Sequence, residues 1–288
     1  MLAVTEQDSR WILEDDRTQA KAVIIPQRGG ILLSWSIGET EIFYLDRERF
    51  ANPELSIRGG IPLLFPICGN LVDDTYTWKD KTYKLPQHGF ARNMPWQVTD
   101  QSTLYVASLT VSLFSNDQTL AVYPFPFRLD YIYRLGGNSI EILCRHTNLG
   151  TEWMPFATGI HPYFAVRDAD KPQLSFKLPA QTYVAKGETT SQPFNGTFDF
   201  EQDEIDVALT NLYDRVAKVT DRARNLELTI TYDSYYTHLI FWAVKGKDFY
   251  CLEPWTAPRN AMNSGDCLLT IAPGETVETY ISMGVDFL

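Results

Sequence analysis

Leu226-Glu-Leu-Thr-Ile-Thr-Tyr232 sets apolar residues at every second position. Side chains alternate between two faces along an extended strand, so this stretch reads as a strand with one face in a core and one in solvent. The same period recurs in both directions along the chain. Phe127 to Leu135 repeats it, Gly136-Gly137-Asn138 supplies a turn, and Ser139-Ile-Glu-Ile-Leu-Cys144 returns, which predicts a hairpin. Ala22 to Tyr44 reads as paired strands punctuated by Gly29-Gly30 and Gly38, and Leu104 to Phe114 and Thr276 to Met283 add more. Helical periodicity is almost absent; only Asp203 to Tyr213 reads as a helical turn or two. A parallel α/β fold needs alternating helices that this chain does not provide. No Gly/Ser linker, charge block or fixed-period repeat divides it. The expectation is an all-β protein: one large antiparallel β-sandwich, a single domain over residues 1–288.

Bulk properties narrow the partners. Hydrophobic residues make up 44% and aromatics 13% of the chain, a globular composition. The formal net charge of −11 and a pI near 4.8 argue against nucleic acid and anionic membranes, which reward clustered Lys and Arg. A local pair of arginines can still outweigh that global field for a small anion. The N-terminal stretch has no basic start followed by an apolar run, and no segment approaches the roughly 18 apolar residues of a membrane span. A cytoplasmic protein, monomer or weak dimer, is the expectation. Cys68, Cys144, Cys251 and Cys267 are far apart and read as buried free thiols. Asn195-Gly-Thr fits a glycosylation sequon and, without a secretion signal, carries no weight.

One strand candidate holds an anomaly. Phe249-Tyr-Cys-Leu-Glu-Pro-Trp-Thr256 places a single carboxylate among aromatic and apolar neighbours. Alternation puts Phe249, Cys251 and Glu253 on one face, and Pro254, which donates no ladder hydrogen bond, should end or fray the strand. A charge there costs several kcal/mol, roughly, unless it is paired or hydrogen-bonded. That marks Glu253 as a candidate functional residue at a strand end facing a cleft.

The four histidines can be weighed singly. His88, in Pro86-Gln-His-Gly-Phe-Ala-Arg-Asn-Met-Pro-Trp96, belongs to an irregular loop that displays His88 and Arg92. Taken alone, a backbone-bonded loop histidine is the commoner reading. His161, in Gly159-Ile-His-Pro-Tyr-Phe164, is by itself more often a satisfied core histidine than a catalyst. His146 looks structural or exposed, and His238 a core or rim residue. There is no HxH, HxxxH or close Cys/His set, so no metal is expected; a phosphate loop and a GxSxG elbow are absent too. Acid–base chemistry by His and Glu remains. Arg58, before Gly59-Gly60, can project as a hydrogen-bond fork for hydroxyls or an anion, although a surface arginine before a buried strand is the commoner case.

Read together, five segments in order resemble the aldose 1-epimerase (mutarotase) superfamily of large antiparallel β-sandwich enzymes. They are RGGIPLLFPICG (Arg58 to Gly69), PQHGFARNMPW (Pro86 to Trp96), GIHPYF (Gly159 to Phe164), CLEPW (Cys251 to Trp255) and IAPGETVE (Ile271 to Glu278). The resemblance implies an enzyme that interconverts the α and β anomers of an aldose without metal or cofactor. It implies Glu253 as general base and His161 as general acid, with His88, Arg92 and Asp206 contacting the sugar. Arg58 matches an arginine typical of the hexose-6-phosphate branch, whereas PICG, HPYF and CLEPW resemble bacterial galactose-mutarotase-like proteins. A general aldose 1-epimerase is therefore expected, with a hexose 6-phosphate left open as substrate. Two other readings stay on the same residues: a non-catalytic carbohydrate-binding module or sensor, and a glycoside hydrolase or lyase pairing Glu253 with Asp206.

Overall fold

In the computed structural model, residues 1–52 and 55–288 are described, and their strand pairs are all antiparallel. Alternation dictates the first large sheet. Its eight strands run, in spatial order, Leu174–Lys177, Val216–Asp221, Leu226–Tyr232, Thr276–Phe287, Ser139–Asn148, Phe127–Gly136, Ala107–Phe114 and Gln97–Ser102. Leu226, Leu228, Ile230 and Tyr232 are buried while Glu227, Thr229 and Thr231 face outward, as the period requires. The expected hairpin is present, with Phe127 opposite Asn148 and Gly136 opposite Ser139.

The second large sheet carries the cleft. Its order is Gln192–Pro193, Ala180–Ala185, Glu204–Leu212, His238–Val244, Phe249–Trp255, Gly159–Ile160 and Leu63–Leu64, with Tyr163–Ala165 also pairing onto Phe249–Trp255. The inner faces meet through rings such as Phe176 of the first sheet against Phe241 and Tyr250 of the second. A five-stranded N-terminal sheet, Leu2–Gln7 to Thr40–Glu41, adds Leu13, Ile24 and Trp35 to the same core, which extends to Val285. No helix among the described residues is long and apolar enough to cross a membrane.

Three expectations change. The stretch read as helical is strand Glu204–Leu212, held between two neighbours, with Ile205, Val207 and Leu209 buried at period two. Strand Phe249–Trp255 does not stop at Glu253. The Thr237 amide donates to the Trp255 carbonyl, so the polar groups of Pro254 point the other way, into the break between Gly159–Ile160 and Tyr163–Ala165. No ladder donor is needed there, and proline is tolerated. Lastly, Cys68, Cys144 and Cys251 are buried thiols, but Cys267 is exposed.

Candidate active site

Strand register lays the floor. Asp206 sits opposite Trp242, Trp242 opposite Cys251, and Cys251 opposite Tyr163; in the adjoining row Ile240 sits opposite Glu253. Residues two apart share a face, so Glu253 stands on the same side as Cys251, away from the core residues Tyr250 and Leu252. The break after Ile160 brings His161 over this face. Its ring stacks on Tyr163 at 4.8 Å between centroids, and its Nε2 lies 3.3 Å from Glu253 Oε1. The other carboxyl oxygen, Oε2, accepts a hydrogen bond from Trp255 Nε1 at 3.1 Å.

Two glycine-dependent loops complete the walls. Gly60, at φ +58, brings the Arg58 segment against strand Ile31–Ile37: a Cβ there would meet the Leu32 carbonyl oxygen at 2.4 Å. Gly89 (φ +71) similarly lets the HGFAR loop close on the Phe65 carbonyl. His88 itself takes a left-handed φ of 65, and its Nδ1 accepts the Gly69 amide at 3.1 Å. Arg92 donates to the Gln87 carbonyl through Nη2, while its buried Nε has no hydrogen-bond partner.

These elements enclose an open cleft of about 220 Å³, and all six residues singled out in the sequence line it: Arg58, His88, Arg92, His161, Asp206 and Glu253. Lys186 and Arg259 also line it and were not foreseen. Asp206 holds both, Arg259 Nη2 at 2.7 Å from Oδ1 and Lys186 Nζ at 3.0 Å from Oδ2. Arg259 lies over the Trp255 ring, 5.3 Å from its centroid. Its place four residues after CLEPW was the one available signal; Lys186 lies in no recognisable motif. The remaining histidines stay outside this cleft, His146 in the core with its Nε2 facing Thr158 Oγ1 at 3.2 Å.

Burial sets the electrostatics. Glu253 is 1% exposed, and burial, aided by Asp206, raises its carboxyl well above the usual range against the opposing pull of Arg259, Trp255 and Arg92. Burial, with Arg92 adding repulsion, pulls the His161 imidazole down to about 3. His88 is likewise held well below its usual value, first by burial and then by His161 and Arg92. Desolvation thus makes Glu253 a stronger base and His161 a stronger acid than either is in water. It also favours states of the pair that carry one proton, because those are net neutral.

The profile of the aldose 1-epimerase family matches residues 12–284. The chain belongs to the aldose 1-epimerase family. Membership makes it an epimerase, an isomerase-class enzyme. Among solved structures, the Slr1438 protein from Synechocystis sp. PCC 6803 superposes on this family member with a TM-score of 0.95 at 40% identity, covering 98% of this chain and 97% of that one. A galactose mutarotase related enzyme from Lactobacillus acidophilus gives a TM-score of 0.76 at 25% identity over 99% and 97% of the two chains. By sequence, the epimerase chain is 31% identical over 177 residues to a provisionally named glucose-6-phosphate 1-epimerase of Escherichia coli K12, 61% of this chain and 55% of that protein. The chromosomal LacX protein of Lactococcus lactis is 28% identical over 76% of this chain and 80% of its own length.

Proposed function

We propose that the protein interconverts the α and β anomers of a hexose by acid–base ring opening and closure, with Glu253 and His161 as the proton-transfer pair. The 3.3 Å contact between His161 Nε2 and Glu253 Oε1 on the floor of the cleft carries this reading. In the reactive state the shared proton is on His161. Glu253 takes the proton of the anomeric hydroxyl as His161 delivers its own to the ring oxygen, and the C1–O5 bond breaks. The pair is then protonated glutamate and neutral imidazole, again one proton and no net charge, which is the arrangement burial favours. The aldehyde rotates, and the reverse transfers close the ring on its other face. Positioned proton transfer of this kind contributes on the order of 10²–10⁴ in rate per group.

The surrounding residues take positioning roles. With Nδ1 occupied by the Gly69 amide, neutral His88 carries its hydrogen on Nε2 and offers a donor to the sugar. Asp206 has lone pairs left beside its two cations for sugar hydroxyls. Trp242 offers ring surface to the apolar face of a pyranose.

A hexose 6-phosphate as substrate is favoured by one further observation. Four cations, Arg58, Arg92, Lys186 and Arg259, line the cleft of a protein whose net charge is −11. Arg58 forms no ion pair among the described residues, and Arg92 and Arg259 each keep a buried Nε without a partner. Polarimetry on freshly dissolved α-glucose and α-glucose 6-phosphate tests both levels: faster mutarotation of either supports the epimerase, and the ratio of the two rates reports the phosphate preference. Sugar binding with unchanged mutarotation of both, glucose and its 6-phosphate, would favour the non-catalytic binding module instead.

A further inference from the structure

Beneath the proton-transfer pair lies a thiol that the proposed reaction does not use. Cys251 is two residues before Glu253 on the same face of one strand, fully buried, and opposite Tyr163, the ring on which His161 stacks. One ligating atom from each of His161, Cys251 and Glu253 lies within 4.8 Å of the other two. We propose that these three side chains form a binding site for a thiophilic divalent cation of the Zn²⁺ type, and that its occupancy and epimerase turnover exclude each other.

Charge, softness and geometry support this assignment. A carboxylate, a thiolate and a neutral imidazole together cancel a 2+ charge, so the loaded site is net neutral and tolerates its dry surroundings. Binding displaces two protons, one from the thiol and one from the pair. The donor set is that of zinc rather than of Mg²⁺ or Ca²⁺, which prefer oxygen ligands alone. Zn–S near 2.3 Å and Zn–N or Zn–O near 2.0 Å in a tetrahedron require donors about 3.3–3.7 Å apart. The His161–Glu253 contact already has that spacing, and the thiol must approach by no more than about an ångström. His161 Nδ1 has no hydrogen-bond partner, so no second hydrogen bond holds the ring, which otherwise rests on Tyr163. His161 and Glu253 line the cleft, so a fourth ligand, water or a sugar hydroxyl, would reach the metal from that side. A metal there takes the atoms that move the protons, so it inhibits.

No close ligand spacing marks this site in the sequence, because its histidine lies about ninety residues before the other two donors. The inference that the metal inhibits rests on the proposed reaction; the site itself does not. Equilibrium dialysis against Zn²⁺ and absorption spectroscopy with Co²⁺ therefore accompany the activity assay. All are run in a Cys267→Ser background, because Cys267 is an exposed thiol. The expected result is one tightly held Zn²⁺ per chain and a thiolate-to-cobalt charge-transfer band that is lost in Cys251→Ala. Zn²⁺ inhibition, scaled to each variant's own activity, should be relieved by EDTA and opposed by sugar. The inhibitory concentration should rise at least about ten-fold in Cys251→Ala, the scale on which even outer contacts tune a metal site. His161→Asn is the second variant and should also lose the cobalt band. Absence of the band in the parent, or zinc binding unchanged by both variants, overturns the site. Zinc binding without any epimerase activity would retain the site and remove the reaction; epimerase activity without zinc binding would do the reverse.

Discussion

His88 Nδ1 accepts the backbone amide of Gly69 at 3.1 Å, and the His88 amide donates back to the Gly69 carbonyl at 2.6 Å. This reciprocal pair locks the HGFAR loop to the PICG segment and fixes the tautomer of a buried, neutral imidazole. His88 is therefore a donor in the cleft and not a base. Asparagine places its carbonyl oxygen where Nδ1 stands, so His88→Asn should keep the Gly69 contact and fold but lose the donor to the sugar. A fall in kcat/KM of about ten-fold or more is expected from one lost hydrogen bond to a developing charge. Steady-state kinetics with a thermal melt checks it; activity equal to wild type would remove His88 from sugar recognition.

Trp255 contributes through its indole N–H as well as its ring. It donates to Glu253 Oε2, leaving Oε1 for His161. Trp255→Phe keeps most of the ring packed beneath Arg259 and removes only that donor. A hydrogen bond to a charged group is worth roughly 1.5–3 kcal/mol, so kcat should drop about ten- to a hundred-fold while KM changes little. A change confined to KM would mean that the indole serves sugar stacking instead.

Arg58 and Lys186 are expected to read a phosphate. Arg58→Ala and Lys186→Ala should each raise KM for glucose 6-phosphate by about ten-fold, the loss of one charge-assisted contact, while leaving plain glucose nearly unaffected. Equal losses on both substrates would sink this role. Lys186 also supports Asp206, so Arg58→Ala is the cleaner variant.

Away from the cleft, Asp15 ties the N-terminal sheet to the turn of the long hairpin. Its enclosed carboxylate accepts hydrogen bonds from Arg17 Nε at 2.8 Å and from the Gly137 amide at 2.9 Å. Arg17, followed by the Gly137 amide among the favourable partners, holds this carboxyl well below the usual carboxylate range. A depressed folded value means stability that is fully present above the unfolded value, about 3.9, and is lost as the pH falls through the folded one. Asp15→Asn should lower Tm at pH 7, and the gap to wild type should close in strong acid. Urea titrations at pH 7 and pH 3 test this; a gap that widens on acidification would contradict the sign.

The sequence carried much of this architecture for a physical reason: period-two burial is local. Leu226 to Tyr232 and the hairpin from Phe127 to Asn148 announce themselves wherever one face is wet. Glu204–Leu212 was misread because its polar residues mask a strand whose identity comes from its two neighbours. Pro254 misled for a related reason, since a missing donor matters only where a partner strand waits for it. Of the cleft, the motif residues were legible. Lys186 and Arg259 were not, because what makes them part of it is a shared carboxylate on Asp206, a contact made by tertiary folding. Cys267 shows the converse, a residue type that is usually buried but lies here on the surface.

The central claim is that ring opening moves two protons, one from the anomeric hydroxyl to Glu253 and one from His161 to the ring oxygen. Magnetisation exchange between the α and β anomers of glucose at equilibrium, with and without catalytic amounts of protein, measures that step without coupling enzymes. Exchange should be accelerated by wild type, and Glu253→Gln, which keeps shape and the Trp255 contact but cannot take a proton, should cut the acceleration by at least about 10²-fold. A folded Glu253→Gln protein exchanging anomers at the wild-type rate would contradict the account.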